Sequence, residues 1–205
     1  MPAIPIHIRA ITFFDGQNLY HCAREAFGFH YPNYDVTALS RYVCAANAWE
    51  LKSVRFYTGY PSAQDGPFWH AFWQKKLLAI ARQGAWKFSR PLRYRTKTFK
   101  LDNDVEIQRE VGEEKGIDVR IALDLVRLAR NDEYDVAVIF SQDQDLSEAV
   151  NEVREISIQQ NRWIKVASAY PYRDGLKNGR GINGTQWIKL DRAAYEQCID
   201  PVDYR

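Results

Sequence analysis

Two short runs constrain this chain more than any other feature in it. "IRAITFF" (8–14) and "YDVAVIF" (134–140) are continuous, apolar, and rich in β-branched and aromatic residues. Each is short for a helix, so each reads as a strand buried on both faces. Strands of that kind belong to parallel sheets, whose crossover helices supply the covering. The rest of the chain alternates to match. Residues 17–27 read as a helix, and "DVTALSRYVCAAN" starts at an Asp35 cap with Val36, Leu39, Tyr42 and Val43 at helical spacing. Residues 51–60 read as a strand and 67–83 as an aromatic, basic helix. "WKFSRPLRYRTKTF" (86–99) reads as a third strand that continues into an edge segment after Pro91. "KGIDVRIALDLVRLARN" (115–131) is the clearest helix, with Ile117, Ile121, Leu125 and Leu128 along one face. A helix over 145–156 and a strand over 163–170 complete a βαβαβαβ order, which predicts an α/β fold with a mainly parallel sheet. From Pro171 a Gly/Asn-rich loop leads into a C-terminal piece whose structure the pattern leaves open.

At 205 residues the chain is one domain, or one domain with an extension. Its three cysteines, Cys22, Cys44 and Cys198, are scattered and form no C-x-x-C pair, which argues against a disulfide framework or zinc ribbon. The four histidines make no H-x-x-x-H spacing. No run approaches the length of a membrane span and the N-terminus lacks a signal-peptide core, so a soluble, cytoplasmic protein without membrane partners is expected. The net charge of +2 conceals a segregation. From Gly66 to Leu101 there are nine Lys or Arg and no acid; from Asp102 to Asp118 there are seven acids and two bases.

The two buried strands both end in acids. "ITFF" runs into Asp15, and "VAVIF" runs through Ser141 and Gln142 into Asp143 and Asp145. Ligands of open parallel sheets sit beyond the carboxyl ends of the strands, so central strands would bring these groups to one edge. Asp118 shares the helix face of Ile121 and Ala122 and lies in the first turn. Gathering such carboxylates is costly unless a cation or protons accompany them, and hard divalent cations take oxygen ligands. A structural account exists for three of these acids alone, and Asp143 is the one without it. Asp145 with Glu148 has the D-x-x-E spacing of a helix start, Asp15 suits a turn, and Asp118 suits a helix N-terminus. Asp124, flanked by Arg120 and Arg127, reads as part of a solvated ion-pair stripe.

"FFDGQNLYH", "EEKGIDVRIALDLV" and "DVAVIFSQDQDLSEAV", in that order, resemble the three signatures of the NYN domain, a branch of the PIN-like ribonucleases, in the group with LabA-like and DUF88 members. The resemblance runs from about Ile8 to Ala169. It implies a three-layer α/β/α sandwich with a central sheet of order 3-2-1-4-5, in a nuclease domain over 1–170. Residues 171–205 are then an extension packed on or beside it. It also implies a Mg²⁺- or Mn²⁺-dependent site acting mainly on RNA. Carried over by position, Asp15, Asp118, Asp143 and Asp145 are the metal-binding acids, Asn18 is a polar or substrate-orienting residue, and Ser141 stands beside the acids. Many relatives read S-G-D-S-D where this chain has Gln142 and Gln144, which places these glutamines in the cleft or against substrate.

A phosphodiester polymer requires positive charge beside such a centre. Lys87, Arg90, Arg93, Arg95, Lys97 and Lys100 are interleaved with aromatic residues, and strand alternation puts Arg93, Arg95 and Lys97 on one face. With no acid inside the run, these are read as contacts to single-stranded RNA. The aromatics of 67–83 (Phe68, Trp69, Phe72 and Trp73) are read as core, and Arg173, Lys177 and Arg180 as additional phosphate contacts. The alternative is an RNA-binding or regulatory module with little or no catalysis. A phosphohydrolase of the haloacid dehalogenase type is disfavoured, because its paired acids follow the first strand and Asp15-Gly16-Gln17 lacks the second. The sequence allows a homodimer.

Overall fold

The computed structural model describes residues 2–100 and 106–205. Its elements are β1 (Arg9–Asp15), α1 (Gly16–Phe27), α2 (Val36–Ala46), β2 (Glu50–Tyr60), α3 (Pro67–Arg82), β3 (Trp86–Pro91), β4 (Arg93–Lys100) and β5 (Glu106–Glu113). They continue with α4 (Ile117–Arg130), β6 (Val136–Phe140), α5 (Ser147–Gln159), β7 (Lys165–Pro171), β8 (Gln186–Leu190) and α6 (Arg192–Glu196). One sheet runs β3-β2-β1-β6-β7-β8, with every pairing parallel. The two apolar runs are its central neighbours, β1 and β6.

Alternation along these strands divides the interior in two. Ala10, Phe14, Val136, Val138 and Phe140 pack with α1, α2 and α3; Ile11, Phe13, Ala137 and Ile139 pack with α4 and α5. The result is the α/β/α sandwich expected, with the 3-2-1 half and the two strands beyond it in the expected places. The C-terminal piece contributes a sixth strand, β8, beside β7. Beyond it Tyr195, Cys198 and Tyr204 enter the core on the α1 side. Lys76, only 1% exposed, donates to the Tyr34 carbonyl (2.8 Å) and to Asp200 (3.0 Å), fixing this last segment beneath α3.

The segment after Pro91 departs from expectation. Instead of prolonging β3 as an edge, the chain turns at Leu92 and β4 pairs antiparallel with β5 in a separate two-stranded sheet. Proline removes a ladder donor there. β5, "EIQREVGE", has only Ile107 and Val111 as apolar residues, too weak an alternation to announce a strand. Of the helix aromatics, Phe72 and Trp73 are core at 1% and 2% exposed, whereas Phe68 is 54% exposed. No described helix is long and apolar enough to cross a membrane.

Candidate functional site

Phe14 and Phe140 are register partners in β1 and β6, and their rings stack at 4.0 Å. The residues that follow each, Asp15 and Ser141, therefore emerge side by side. Asp15 ends β1 and caps α1, accepting from the Asn18 N–H at 3.0 Å, while the Ser141 hydroxyl lies 3.4 Å from its other oxygen. It is 6% exposed. Burial pushes its pKa up to about 6, helped by the charges of Asp143 and Asp118; the two hydrogen bonds oppose the shift and do not overcome it.

Asp143 and Asp145 exchange the parts expected of them. Asp145 does not cap the following helix: α5 starts at Leu146 as its N-cap without a side-chain bond. The cap is Asp143, which accepts from the Asp145 N–H at 3.0 Å and opens a short 3-10 turn, Gln144–Leu146. The inserted turn moves the helix start beyond the reach of Asp145, which stands exposed. Asp143 is half-buried, and its own N–H donates to Ser141 Oγ at 3.1 Å. Asp118 is half-buried in the first turn of α4, next to Gly116, whose φ of +72° makes the tight entry into that helix.

A further acid, Glu114, joins this edge. It lies between β5 and α4 and accepts from the Gly59 N–H at the end of β2. A Cβ at Gly59 would stand 2.7 Å from its oxygen, so a larger residue there would displace the carboxylate from this N–H. Burial, then the charge of Asp15, pushes Glu114 up to about 7, with Asp118 adding to it. In the sequence it is one of seven acids in a charged stretch, and only its position before K-G-I-D-V distinguished it.

Asp15, Glu114, Asp118 and Asp143 thus come from four segments, and their charges are coupled. Among the described residues no three His, Cys, Asp or Glu side chains converge on one closed coordination point. The donor set is nonetheless all carboxylate oxygen, and two of its members, Asp15 and Glu114, hold their protons more tightly because of burial and neighbouring charge, which fits a hard cation that retains much of its water.

Asn18 is fixed by accepting from the Gln142 N–H (2.9 Å) and the Cys22 thiol (3.4 Å). Burial pushes that thiol up to about 12, so it stays a neutral donor, bonded also to Gln142 Oε1 at 2.9 Å. The two glutamines are occupied within the protein. Gln142 Nε2 donates to the carbonyls of Asn178 and Arg180 (2.8 and 2.7 Å). Gln144 Nε2 donates to Gly181 O (3.1 Å) and its Oε1 accepts from Asn183 N–H (3.1 Å). They tie the C-terminal loop to the site, and a groove of about 450 Å³ runs between α1, Asp143 and Asn178.

The basic residues lie on the other flank. Arg90 stacks over Phe88 (4.9 Å), with its guanidinium beside Gly116 at the entry to α4. Lys87 is exposed on β3. Arg93, Arg95 and Lys97 share one face of the hairpin, but their charge is not locally unopposed. β5 places Glu113 opposite Arg93, and that carboxylate lies 2.7 Å from Lys97, 3.9 Å from Arg95 and 3.4 Å from Lys115. One acid against several cations leaves the face net basic. The Lys100 side chain lies outside the described residues. Arg173, Lys177 and Arg180 are exposed on the C-terminal loop. Asp124 is an ion-pair residue but not a solvated one. At 1% exposure it accepts from Tyr57 OH (2.9 Å), Arg120 (3.1 Å) and Arg127 (3.1 Å), because β2 and Tyr57 close over it.

The model of the NYN domain family matches residues 9–170. No curated protein matches the chain. Among solved structures, a protein of unknown function from Vibrio parahaemolyticus is similar at 22% identity and a TM-score of 0.53, over 93% of this chain and 98% of that one. A ribokinase from Giardia lamblia aligns at 11% identity and a TM-score of 0.34, over 60% of this chain and 36% of its own.

Proposed function

Because this chain belongs to the NYN domain family, whose fold is that of a nuclease, we propose that it is a Mg²⁺- or Mn²⁺-dependent endoribonuclease acting on single-stranded RNA. Asp15, Asp118, Asp143 and Asp145 are the acids assigned to the metal, with Glu114 added to them. The chemistry such an ion supplies when bound is a water ionised near neutral pH and neutralisation of charge developing on the phosphate. Ser141 and the Asn18 amide orient Asp15; Asn18 in turn is set by Gln142. Arg90, Arg93, Arg95 and Lys97, with Lys87 and Lys100, are assigned to the RNA backbone, where cations fix register without reading sequence.

The observation that carries this reading is the coupling of Asp15, a carboxylate 6% exposed, to acids from other segments at the carboxyl edge of the central strands. A carboxylate in a cleft edge whose pKa is raised by burial and by specific neighbouring charges is a functional-site candidate. Asp143→Asn is expected to abolish Mn²⁺-dependent cleavage of single-stranded RNA and leave the fold intact. Undiminished cleavage by that variant contradicts the assignment. One observation favours an RNA-binding module without catalysis: the described acids do not close on a common point. Tight RNA binding with neither Mn²⁺ binding nor turnover supports that alternative.

A further inference from the structure

A pocket of about 230 Å³ lies beside the acids, walled by Tyr20, Trp69, Trp73, Leu92 and two prolines, with Gln17 as its one amide. It touches the carboxylate edge through a single residue. Gly59 accepts from Gln17 Nε2 at 3.0 Å through its carbonyl, and its N–H binds Glu114. Leu92 abuts Gly59 as well, 2.7 Å from where a Cβ would stand. Gln17 itself is one residue from Asn18 and two from Asp15. The pocket and the acid cluster are thus adjoining parts of one surface.

Its chemistry is that of a slot for a flat ring. Trp73, 2% exposed, lines it from the core. Trp69 is half-buried, and Phe68, 54% exposed, stands edge-on to it at 5.2 Å. The volume is below the roughly 300–1,000 Å³ of pockets that take drug-sized ligands, so it admits one ring system and not a whole nucleotide. A primary carboxamide offers two donors and one acceptor oxygen; the bond to Gly59 uses one donor, leaving capacity for the polar edge of a heterocycle. Leu92 is followed by Arg93 and preceded within two residues by Arg90, both exposed. Cations therefore flank the apolar slot where the phosphates of a bound strand would run.

We propose that this pocket binds one unpaired nucleobase of the RNA strand, positioning the adjoining phosphodiester at the carboxylates. The proposal rests on the ribonuclease reading and adds a base-binding subsite to it. Aromatic stacking on a base is tolerant of sequence, so the subsite fixes register, with Gln17 supplying any preference among bases.

The test measures binding without turnover, by titrating a short single-stranded RNA in EDTA. Trp69→Ala is expected to weaken binding about ten-fold or more, with Trp69→Phe recovering part of the loss and Gln17→Ala changing the preference among bases. An abasic scan on the unaltered protein should reproduce the loss at one position, which requires no variant to fold. A 5-bromouracil at that position should crosslink to the α3 peptide containing Trp69. Unchanged affinity in Trp69→Ala and no sensitive abasic position, with Arg93→Glu still weakening binding, would overturn the pocket and leave the ribonuclease reading standing. An apolar dye that occupies the pocket and is not displaced by saturating RNA would also overturn it. Failure of the unaltered protein both to bind and to cut RNA removes the ribonuclease reading itself.

Discussion

The charge of Asp15 raises the proton affinity of Glu114, although the two belong to segments about a hundred residues apart in the chain. Both are carboxylates whose folded pKa values, about 6 and about 7, lie above those of the unfolded chain, near 4. The folded protein therefore holds these protons more tightly than the unfolded one. Without a divalent cation, stability contributed by the neutral forms is lost as pH rises through these values. The melting temperature in EDTA is expected to fall between pH 5 and pH 8 by several degrees, at about 2–4 °C per kcal/mol for a chain of this size. Asp15→Asn or Glu114→Gln should flatten that decline, and Mn²⁺ should reverse it in the unaltered protein. A melting temperature that rises over the same interval in EDTA contradicts the coupling.

Glu113 restrains the cations of the hairpin. Glu113→Gln is expected to tighten RNA binding a few-fold and steepen its salt dependence, because Arg95 and Lys97 lose their competing partner. Arg95→Glu should do the opposite. Fluorescence anisotropy at low and moderate salt distinguishes these from no effect, the result expected of a hairpin that does not meet RNA.

Gln142 and Gln144 hold the C-terminal loop through side-chain bonds to residues 178–183. Replacing them with the Gly and Ser of many relatives removes several hydrogen bonds, each worth about 0.5–1.5 kcal/mol net. Hydrogen exchange in residues 178–183 should accelerate by ten-fold or more while exchange in β1 and β6 stays unchanged. Equal protection in both proteins would show that the loop is held by other means.

Lys76 and Asp200 form a buried pair, 1% and 7% exposed at their side chains. Lys76→Met leaves Asp200 unpaired beneath α3 and is expected to cost about 3–5 kcal/mol. Adding Asp200→Asn should recover a large part of that loss. Denaturant unfolding of the single and double variants measures both, and a Lys76→Met protein as stable as the original contradicts the role given to the pair.

The central strands were legible because "ITFF" and "VAVIF" are apolar on both faces, and parallel sheets leave few other arrangements for such runs. Asp15 and Asp143 followed, since they end those strands. What escaped reading depended on partners distant in sequence. The hairpin was hidden because β5 is stabilised by cross-strand pairing with a basic strand, not by an apolar face. Glu114 was hidden because the backbone N–H that holds it belongs to Gly59, 55 residues earlier. The exchange between Asp143 and Asp145 arose from a three-residue turn that no spacing rule announces. Gln142 and Gln144 do line the groove beside Asp143, but their bonds to residues 178–183 were hidden because that loop lies beyond the family signatures.

Whether the carboxylates of Asp15, Asp118 and Asp143 hold a divalent cation is decided by a crystal of the protein soaked in Mn²⁺. An anomalous peak bounded by these three side chains is expected, with Asp145 or Glu114 drawn toward it, and it should be lost in Asp143→Asn. Mn²⁺-dependent RNA cleavage in solution with no peak at that edge, or with the metal bound elsewhere, would contradict the assignment of the metal to these acids.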